Sequence, residues 1–128
     1  MTTERKYTFS WSTIGEKLAI ARPSLGPTTR IEVYRLLQYT LRDVLEEEFG
    51  HQKTDDMFRK AGAIAGREFY NKFCLEAEDV SSLVTTIEEK FKELGIGIFR
   101  VESINLDDMS FTLNVEEDLD CSGLPDSS

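Results

Sequence analysis

Few side chains in this sequence have the chemistry of catalysis or metal binding. His51 is the only histidine, and Cys74 and Cys121 are the only cysteines among 128 residues. The two cysteines lie far apart and form no Cys-x-x-Cys pair, so they predict neither a disulfide framework nor a complete zinc site, which needs four ligands. We expect Cys74 to be a small buried residue. His51 directly follows Gly50, which indicates a solvated turn after a helix rather than the apolar wall of a haem pocket.

No catalytic constellation is visible in the sequence. It contains no nucleophile elbow, no phosphate-binding loop, no His-Glu-x-x-His zinc motif and no dinucleotide fingerprint for a hydride donor. The acidic run Glu46-Glu47-Glu48 is expected to be a solvated helix face, because adjacent helical residues point in different directions. We therefore expect a protein that is not an enzyme and that holds no cofactor.

Composition and charge narrow the possible partners. Lysine and arginine number 15 against 24 aspartates and glutamates, a formal charge of −9. This charge would repel phosphate backbones and anionic lipids, so we expect no nucleic-acid partner. The longest run without polar side chains, 61–66, is far shorter than the ~20 residues that span a bilayer, and the N-terminus lacks the apolar segment of a signal peptide. These features predict a cytoplasmic protein without a membrane partner.

A strip of small residues is the strongest candidate for a binding surface. Gly62 and Gly66 lie four residues apart on one face of a predicted helix, where each glycine costs about 1 kcal/mol. Such a strip lets a flat ligand approach, although ordinary close packing of another helix is the alternative. A surrounding apolar pocket with a phenolic hydroxyl would suit hydrocarbons, aromatics or tetrapyrroles. The predicted ligand-binding residues are Tyr34, Leu37, Leu41, Phe58, Gly62, Ala65, Gly66, Phe69 and Phe111.

Three helices are predicted to position most of these residues. Apolar residues at helical spacing indicate a first helix that ends at Gly50, with Thr29 and Glu32 as a reciprocal capping box at its start. A second helix is expected over 54–74, because Thr54 and the two aspartates after it suit a helix N-terminus. A third is expected from a cap at Asp79, Ser81 or Ser82 to a stop at Gly95.

The remaining pattern is that of short strands. Alternation over 109–116 predicts a strand with one wet face, paired through a turn at 105–108 with a strand over 96–104. Alternation over 6–11 predicts a short strand or an arm laid over a core, and the prolines of 22–27 predict a turn. Helices segregated from an antiparallel hairpin favour an α+β fold. Because an isolated hairpin is only marginally stable, we expect further strands from the arm, a partner chain or additional sequence.

Five segments form one set. They are Arg22–Gly26, Val33–Leu45, Ala61–Gly66, Leu94–Ile98 and Glu117–Pro125. Together they resemble the 4-vinyl-reductase (hydrocarbon-binding) domain family, in its sensory branch. The Cys-Ser-Gly-Leu-Pro element near the C-terminus is the most specific part, and the resemblance extends over the chain from about residue 20.

The resemblance implies an α+β fold shared with small-molecule sensor domains, nitric-oxide sensors and subunits of a Golgi tethering complex. It divides the chain into an N-terminal arm and turn at 1–26 and a partial domain at 27–128, which would lack the last helix and two strands of complete members. In zinc-bearing relatives the cysteine matching Cys121 is a metal ligand, together with later cysteines that this sequence does not contain.

The function implied is a non-catalytic sensory or regulatory domain for a hydrophobic small molecule. The alternatives are a ligand-free dimerisation or scaffold domain, or an accessory protein of tetrapyrrole (chlorophyll-type) metabolism. We also expect a homodimer, because the hairpin edges and an apolar sheet face would otherwise stay uncovered.

Overall fold

The computed structural model describes residues 4–125, and the chain divides into two compact units, residues 1–72 and 73–128. The first unit contains a 3-10 turn at Trp11–Ile14 followed by helices α1 (Leu18–Ala21), α2 (Ile31–Phe49) and α3 (His51–Phe73), the last residue of which already belongs to the second unit. The second unit contains α4 (Val80–Glu93), β1 (Ile98–Asn105) and β2 (Ser110–Glu116). The predicted α+β class is confirmed.

The N-terminal segment forms no strand. Residues 4–10 have no regular structure, and a 3-10 turn follows at Trp11–Ile14. Both the backbone N–H and the hydroxyl of Thr13 donate to the carbonyl of Ser10, at 3.0 and 2.7 Å. The predicted strand is therefore wrong, and these local bonds use the Ser10 carbonyl at its C-terminal end. The segment lies beside α3, since Arg5, Thr8 and Phe9 line a shallow cavity together with Ile64, Arg67 and Glu68.

The start of α2 lacks the cap that the sequence predicts. The residue before the helix is Arg30, which has an extended backbone and no side-chain capping bond. Its guanidinium pairs with the carboxylate of Glu32, so that carboxylate does not turn back to the helix start. The capping box of Thr29 and Glu32 is thus wrong. The predicted end at Gly50 is confirmed, with φ at +83°, a conformation that favours glycine.

Helix α3 begins immediately after this glycine, three residues earlier than predicted. Its first turn includes His51, and the N–H of Thr54 donates to the carbonyl of Gly50 at 3.2 Å. His51 is exposed to solvent, as expected, but it lies in the first turn of α3 rather than in a turn between helices, because one glycine is enough to separate the two helices. Away from this corner, α2 and α3 do not pack along one another.

Gly62 and Gly66 lie in the middle of α3, beside open space. A Cβ atom built at either glycine would meet no described atom within 4 Å, and all residues of 61–67 are exposed. No described part of the chain therefore packs on this strip, and close approach of a ligand or of a partner chain stays a prediction.

Helix α4 has strong signals at both ends. A reciprocal capping box joins Asp79 and Ser82: the Ser82 N–H donates to Oδ1 of Asp79 at 2.8 Å, and the Asp79 N–H donates to Oγ of Ser82 at 3.2 Å. At the other end Gly95 has φ at +78°, and the Ile96 N–H donates to the carbonyl of Phe91 at 2.8 Å. This is the Schellman arrangement, which reverses the chain towards β1.

The two strands form the predicted antiparallel hairpin. Ile98 lies opposite Glu116 and Asn105 opposite Ser110, with a bulge between Val101 and Ser103. The hairpin is a two-stranded sheet within the described part of the chain.

Alanine substitutions in the glycine strip test its exposure. Gly62→Ala and Gly66→Ala should each raise the free energy of unfolding by up to about 1 kcal/mol, because alanine favours a helix and the added methyl group has room. Chemical denaturation followed by circular dichroism measures this. A loss of stability in both variants would contradict the open space seen beside α3.

The cap of α4 should make stability depend on pH. The hydrogen bond from the Ser82 N–H lowers the pKa of Asp79 from its ordinary 3.8, so folding favours its carboxylate. That stabilisation is present above pH 3.8 and is lost as the pH falls through the lowered pKa. Asp79→Ala should therefore lower the melting temperature by several degrees at neutral pH, and the difference from the parent should shrink as the pH falls below 3.8. Asp79→Asn, which retains an acceptor oxygen, is the control and should melt close to the parent at neutral pH.

Candidate functional site

An apolar cleft lies in the second unit, between α4 and the hairpin. Its volume is about 200 Å³, and only apolar atoms form its surface. Because it is built entirely from residues after 80, it belongs to one compact unit. The residues around it are Val84, Ile87, Glu88, Phe91, Phe99, Val101, Phe111 and Leu113.

Helical and strand periodicity together place these side chains. Val84, Ile87 and Phe91 are spaced by three and four residues, so they lie on one face of α4. On the hairpin, Phe99 and Val101 are two residues apart on β1, which puts both on the same face of the strand.

The bulge in β1 keeps the face of the hairpin apolar. Val101 pairs with Leu113, so a regular ladder would place Ser103 opposite Phe111. The register shift after Val101 instead pairs Ile104 with Phe111 and moves Ser103 opposite Thr112. One extra residue thus removes a hydroxyl from the apolar row.

Two contacts hold α4 on β1. The rings of Phe91 and Phe99 meet edge to face, with centroids 4.5 Å apart and an angle of 75° between the planes. One turn earlier, Oε1 of Glu88 accepts a hydrogen bond of 3.3 Å from the backbone N–H of Val101, beside the bulge. Glu88 is the one charged residue in this lining, and this bond gives one of its carboxylate oxygens a partner.

A wider groove adjoins the cleft and shares Val84 and Val101 with it. Its volume is about 530 Å³, and it lies largely open to solvent. Polar side chains contribute to its walls, including Ser81, Thr85 and Glu102. The smaller cleft is therefore better suited to a neutral apolar molecule.

The structure distributes the predicted ligand-binding residues over three elements. Of the α2 residues, Tyr34 is half-buried, whereas Leu37 and Leu41 are exposed. Of the predicted set, Phe111 lines the cleft. On α3, Phe58 and Phe69 are half-buried, and Gly62, Ala65 and Gly66 are exposed. A pocket combining these residues would draw on both units, and it stays a prediction.

A charged network occupies the corner between α2 and α3. Arg42 donates to Glu46 at 2.9 Å and to Asp55 at 3.1 Å, and its guanidinium lies 4.9 Å from the ring centre of Phe58. The nitrogens of His51 lie 3.3 Å from Glu46 and 3.2 Å from Asp55. The hydrogen bond from Arg42 lowers the pKa of Glu46. Arg42 and His51 thus link the carboxylates of the two helices, which indicates a structural role for the corner.

The two cysteines have different surroundings. Cys74 is 1% exposed, which confirms the predicted buried residue, and its burial raises the pKa of the thiol. Cys121 is exposed, and both its N–H and its thiol donate to Oδ2 of Asp118, at 3.2 and 3.0 Å. No group of three or more histidine, cysteine or acidic residues within 4–125 could hold a metal ion. Zinc binding at Cys121 with additional cysteines stays a prediction.

Most residues that line the cleft are not among the ligand-binding residues predicted from the sequence. The patterns assign Val84, Ile87 and Phe91 to the apolar face of a helix, and Phe111 and Leu113 to the apolar face of a strand. The short Gly-x-Gly link at 95–97 is the additional sequence signal from which the packing of the helix on the hairpin could have been predicted. A helix joined to a hairpin by so short a link must lie against it to bury both faces.

The comparisons with known proteins leave the family open. No protein-family model, curated protein or solved structure matches this chain. Among residues 4–125, no helix combines the length and the apolar character needed to cross a bilayer. The geometry of the cleft therefore carries the functional argument.

Thiol labelling tests the two cysteine environments. In the folded protein a disulfide reagent should modify Cys121 rapidly and Cys74 only on unfolding, because Cys74 is both inaccessible and poorly ionised. The Cys121→Ser variant should show no rapidly reacting thiol under native conditions and one thiol in denaturant. Rapid labelling of that variant without denaturant would contradict the burial of Cys74.

Proposed function

We propose that this protein is a non-catalytic sensory or regulatory domain that binds a neutral hydrophobic small molecule, a single aromatic ring or a short hydrocarbon, between α4 and the hairpin. The supporting observation is the cleft of about 200 Å³ with a wholly apolar surface. Apolar cavities of roughly 150 Å³ in proteins stay dry and bind benzene-sized molecules. The resemblance to the hydrocarbon-binding family agrees with this class of ligand.

The size of the cleft limits the ligand. Pockets for drug-sized molecules begin at about 300 Å³, so this cleft suits a smaller compound. A tetrapyrrole macrocycle would not fit in it, which disfavours a role in tetrapyrrole metabolism through this site. A single ring in the cleft would lie beside the aromatic side chains of Phe91, Phe99 and Phe111.

The charge of the second unit favours a neutral ligand. Residues 73–128 contain three lysines and arginines against fourteen aspartates and glutamates, a formal charge of −11. The field of this unit repels anions, and the lining contains no cation to hold one. Binding should therefore need neither metal nor low salt.

The expected affinity suits a metabolite sensor. A ligand that buries ~200 Å² of apolar surface gains roughly 5 kcal/mol at 25 cal/mol per Å², before the costs of ordering. This corresponds to dissociation constants from millimolar to micromolar. Binding would also tighten the contact of α4 with β1, which is a change that a neighbouring domain or subunit can detect.

Titration with toluene, monitored by two-dimensional NMR of the full chain, tests the proposal. The largest shifts should fall on Val84, Ile87, Val101 and Leu113. Ile87→Trp, which fills the cleft, should weaken binding at least about tenfold. Val80→Trp is the matched control, because Val80 lies on the same helix and borders only the wider groove.

Three further measurements make this test decisive. Ile87→Ala enlarges the cleft and should admit a two-ring compound such as naphthalene, which tests the site even if the tryptophan variant does not fold. Binding of benzoate in preference to toluene, or loss of binding with a chelator, would contradict the neutral, metal-free site. Weakening by Val80→Trp but not by Ile87→Trp would transfer the site to the groove.

A further inference from the structure

The wider groove lies between the first two turns of α4 and the second half of β1. Residues spaced as i, i+1, i+4 and i+5 share one side of α4 and form its helical wall. Four consecutive residues of β1 and one residue of the turn form its other wall. The two walls consist of Val80, Ser81, Val84 and Thr85 on α4 and of Val101, Glu102, Ser103, Ile104 and Leu106 on the hairpin.

The hairpin wall of the groove is the outer edge of β1. Neighbouring side chains of a strand point to opposite faces of a sheet, so four consecutive residues line one groove only along an edge. Val101 and Ile104 belong to the apolar row that faces α4. Glu102 lies on the other face, where its Oε1 accepts a hydrogen bond of 3.4 Å from the amide of Asn114. The groove therefore exposes the backbone of β1 between the two faces.

The outer side of this edge is unpaired in the described part of the chain. β1 pairs with β2 in a two-stranded sheet, and the N–H of Val101 points away from β2, since it donates to Glu88 on α4. Towards the hairpin turn, the backbone of 102–104 has no hydrogen-bond partner outside β2 among the described residues. Alternate residues of an antiparallel pair direct both backbone groups away from the partner strand, so this edge offers donors and acceptors to another strand.

We propose that the wider groove binds an extended peptide segment of another protein, which adds to β1 as a third strand. The wall formed by 101–104 is about 10 Å long at ~3.3 Å per residue, which matches three or four residues of an added strand. Alternate side chains of that strand point towards Val80 and Val84 on the helix, and the side chains between them point towards Glu102. Backbone hydrogen bonds supply affinity, and the two rows of side chains supply specificity.

The charge around the groove identifies the added segment as basic. Glu102 is the one charged residue among the described residues that line the groove. Asp79 precedes the first lining residue of α4, and Asp107 and Asp108 follow the last lining residue of the hairpin. The three basic residues of this unit lie outside the lining. Apolar residues that alternate with lysine or arginine therefore fit the groove, and acidic segments do not.

This interaction is independent of the proposed ligand cleft, although Val84 and Val101 border both spaces. Ile87 borders the cleft but not the groove, and Val80 borders the groove but not the cleft. Loss of toluene binding would leave peptide binding intact, and the reverse also holds.

Selection from a displayed library of random nonapeptides, with the full chain as bait, tests the inference. The selected peptides should share alternating apolar residues separated by lysine or arginine. A synthetic consensus peptide should bind the parent chain in the micromolar range, measured by isothermal titration calorimetry. N-methylation of alternate peptide nitrogens should weaken binding at least about tenfold, whereas N-methylation of the nitrogens between them should have little effect, because a strand pairs through every second N–H.

Substitutions in the groove should weaken binding of the consensus peptide. Val80→Trp fills the groove and Glu102→Lys repels basic side chains, so each should raise the dissociation constant at least about tenfold. A peptide with glutamate in place of its basic residues should bind Glu102→Lys better than it binds the parent. Glu89→Lys is the control matched in charge, because Glu89 is exposed on α4 and lines neither the groove nor the cleft. This control and Ile87→Trp should bind the consensus peptide as the parent does.

Three results would contradict strand addition to β1 by another protein. A selection that yields no peptide dependent on Val80 and Glu102 would exclude the groove as a peptide site. Selected peptides that are rich in acidic residues, or that tolerate N-methylation at every position, would exclude a basic added strand. A dimer of the parent chain that Val80→Trp dissociates would show that a second copy covers this edge instead.

Discussion

The reversal of the chain between α4 and β1 is the constraint on which the second unit depends. Gly95 supplies the positive φ of the Schellman turn, and Gly97 lets the next residues pass close to the end of β2, where a Cβ would lie 3.3 Å from the carbonyl oxygen of Glu116. With the direction of β1 set in this way, Phe91 on the helix meets Phe99 on the strand. The bulge then aligns the apolar row of the hairpin with the helix above it. The rings and branched side chains between α4 and the hairpin do not pack completely, and the cleft is the space left between them.

The first unit, unlike the second, leaves the apolar residues of its long helix α2 exposed. Its two long helices join at Gly50, where Arg42 links Glu46 on one helix to Asp55 on the other. This network connects the helices at their corner, but they do not lie along each other as a helical hairpin would. The apolar residues of α2 that a helical hairpin would bury therefore stay exposed. The second unit, in contrast, has an apolar cleft between α4 and the hairpin, with Phe111 and Leu113 about half exposed to solvent.

The charges of the chain are also distributed unevenly between the two units. Residues 1–72 contain twelve lysines and arginines and ten acidic residues, a formal charge of +2, so the excess of negative charge belongs to residues 73–128. The net charge of −9 thus describes neither unit well. The field of the acidic unit would repel anions from the apolar cleft.

Elements with local sequence signals could be predicted from the amino-acid sequence. The helical period of α2 and α4, the stops at Gly50 and Gly95 and the alternation in β2 all depend on neighbours within a few residues, and the structure agrees with each. The N-terminal strand failed because hydrogen bonds around Ser10 compete with strand pairing.

Which apolar faces meet could not be predicted from the amino-acid sequence. Periodicity predicts a small-residue strip on α3 and an apolar face on α4. It does not predict which of these two faces another element covers. Packing is non-directional and depends on where the chain turns, so the strip at Gly62 lies open while Phe91 and Phe111 line a common cleft. Of the residues predicted to bind a ligand, Phe111 therefore lies in the cleft. The others lie on helices whose course is set by the glycine corner and its charged network.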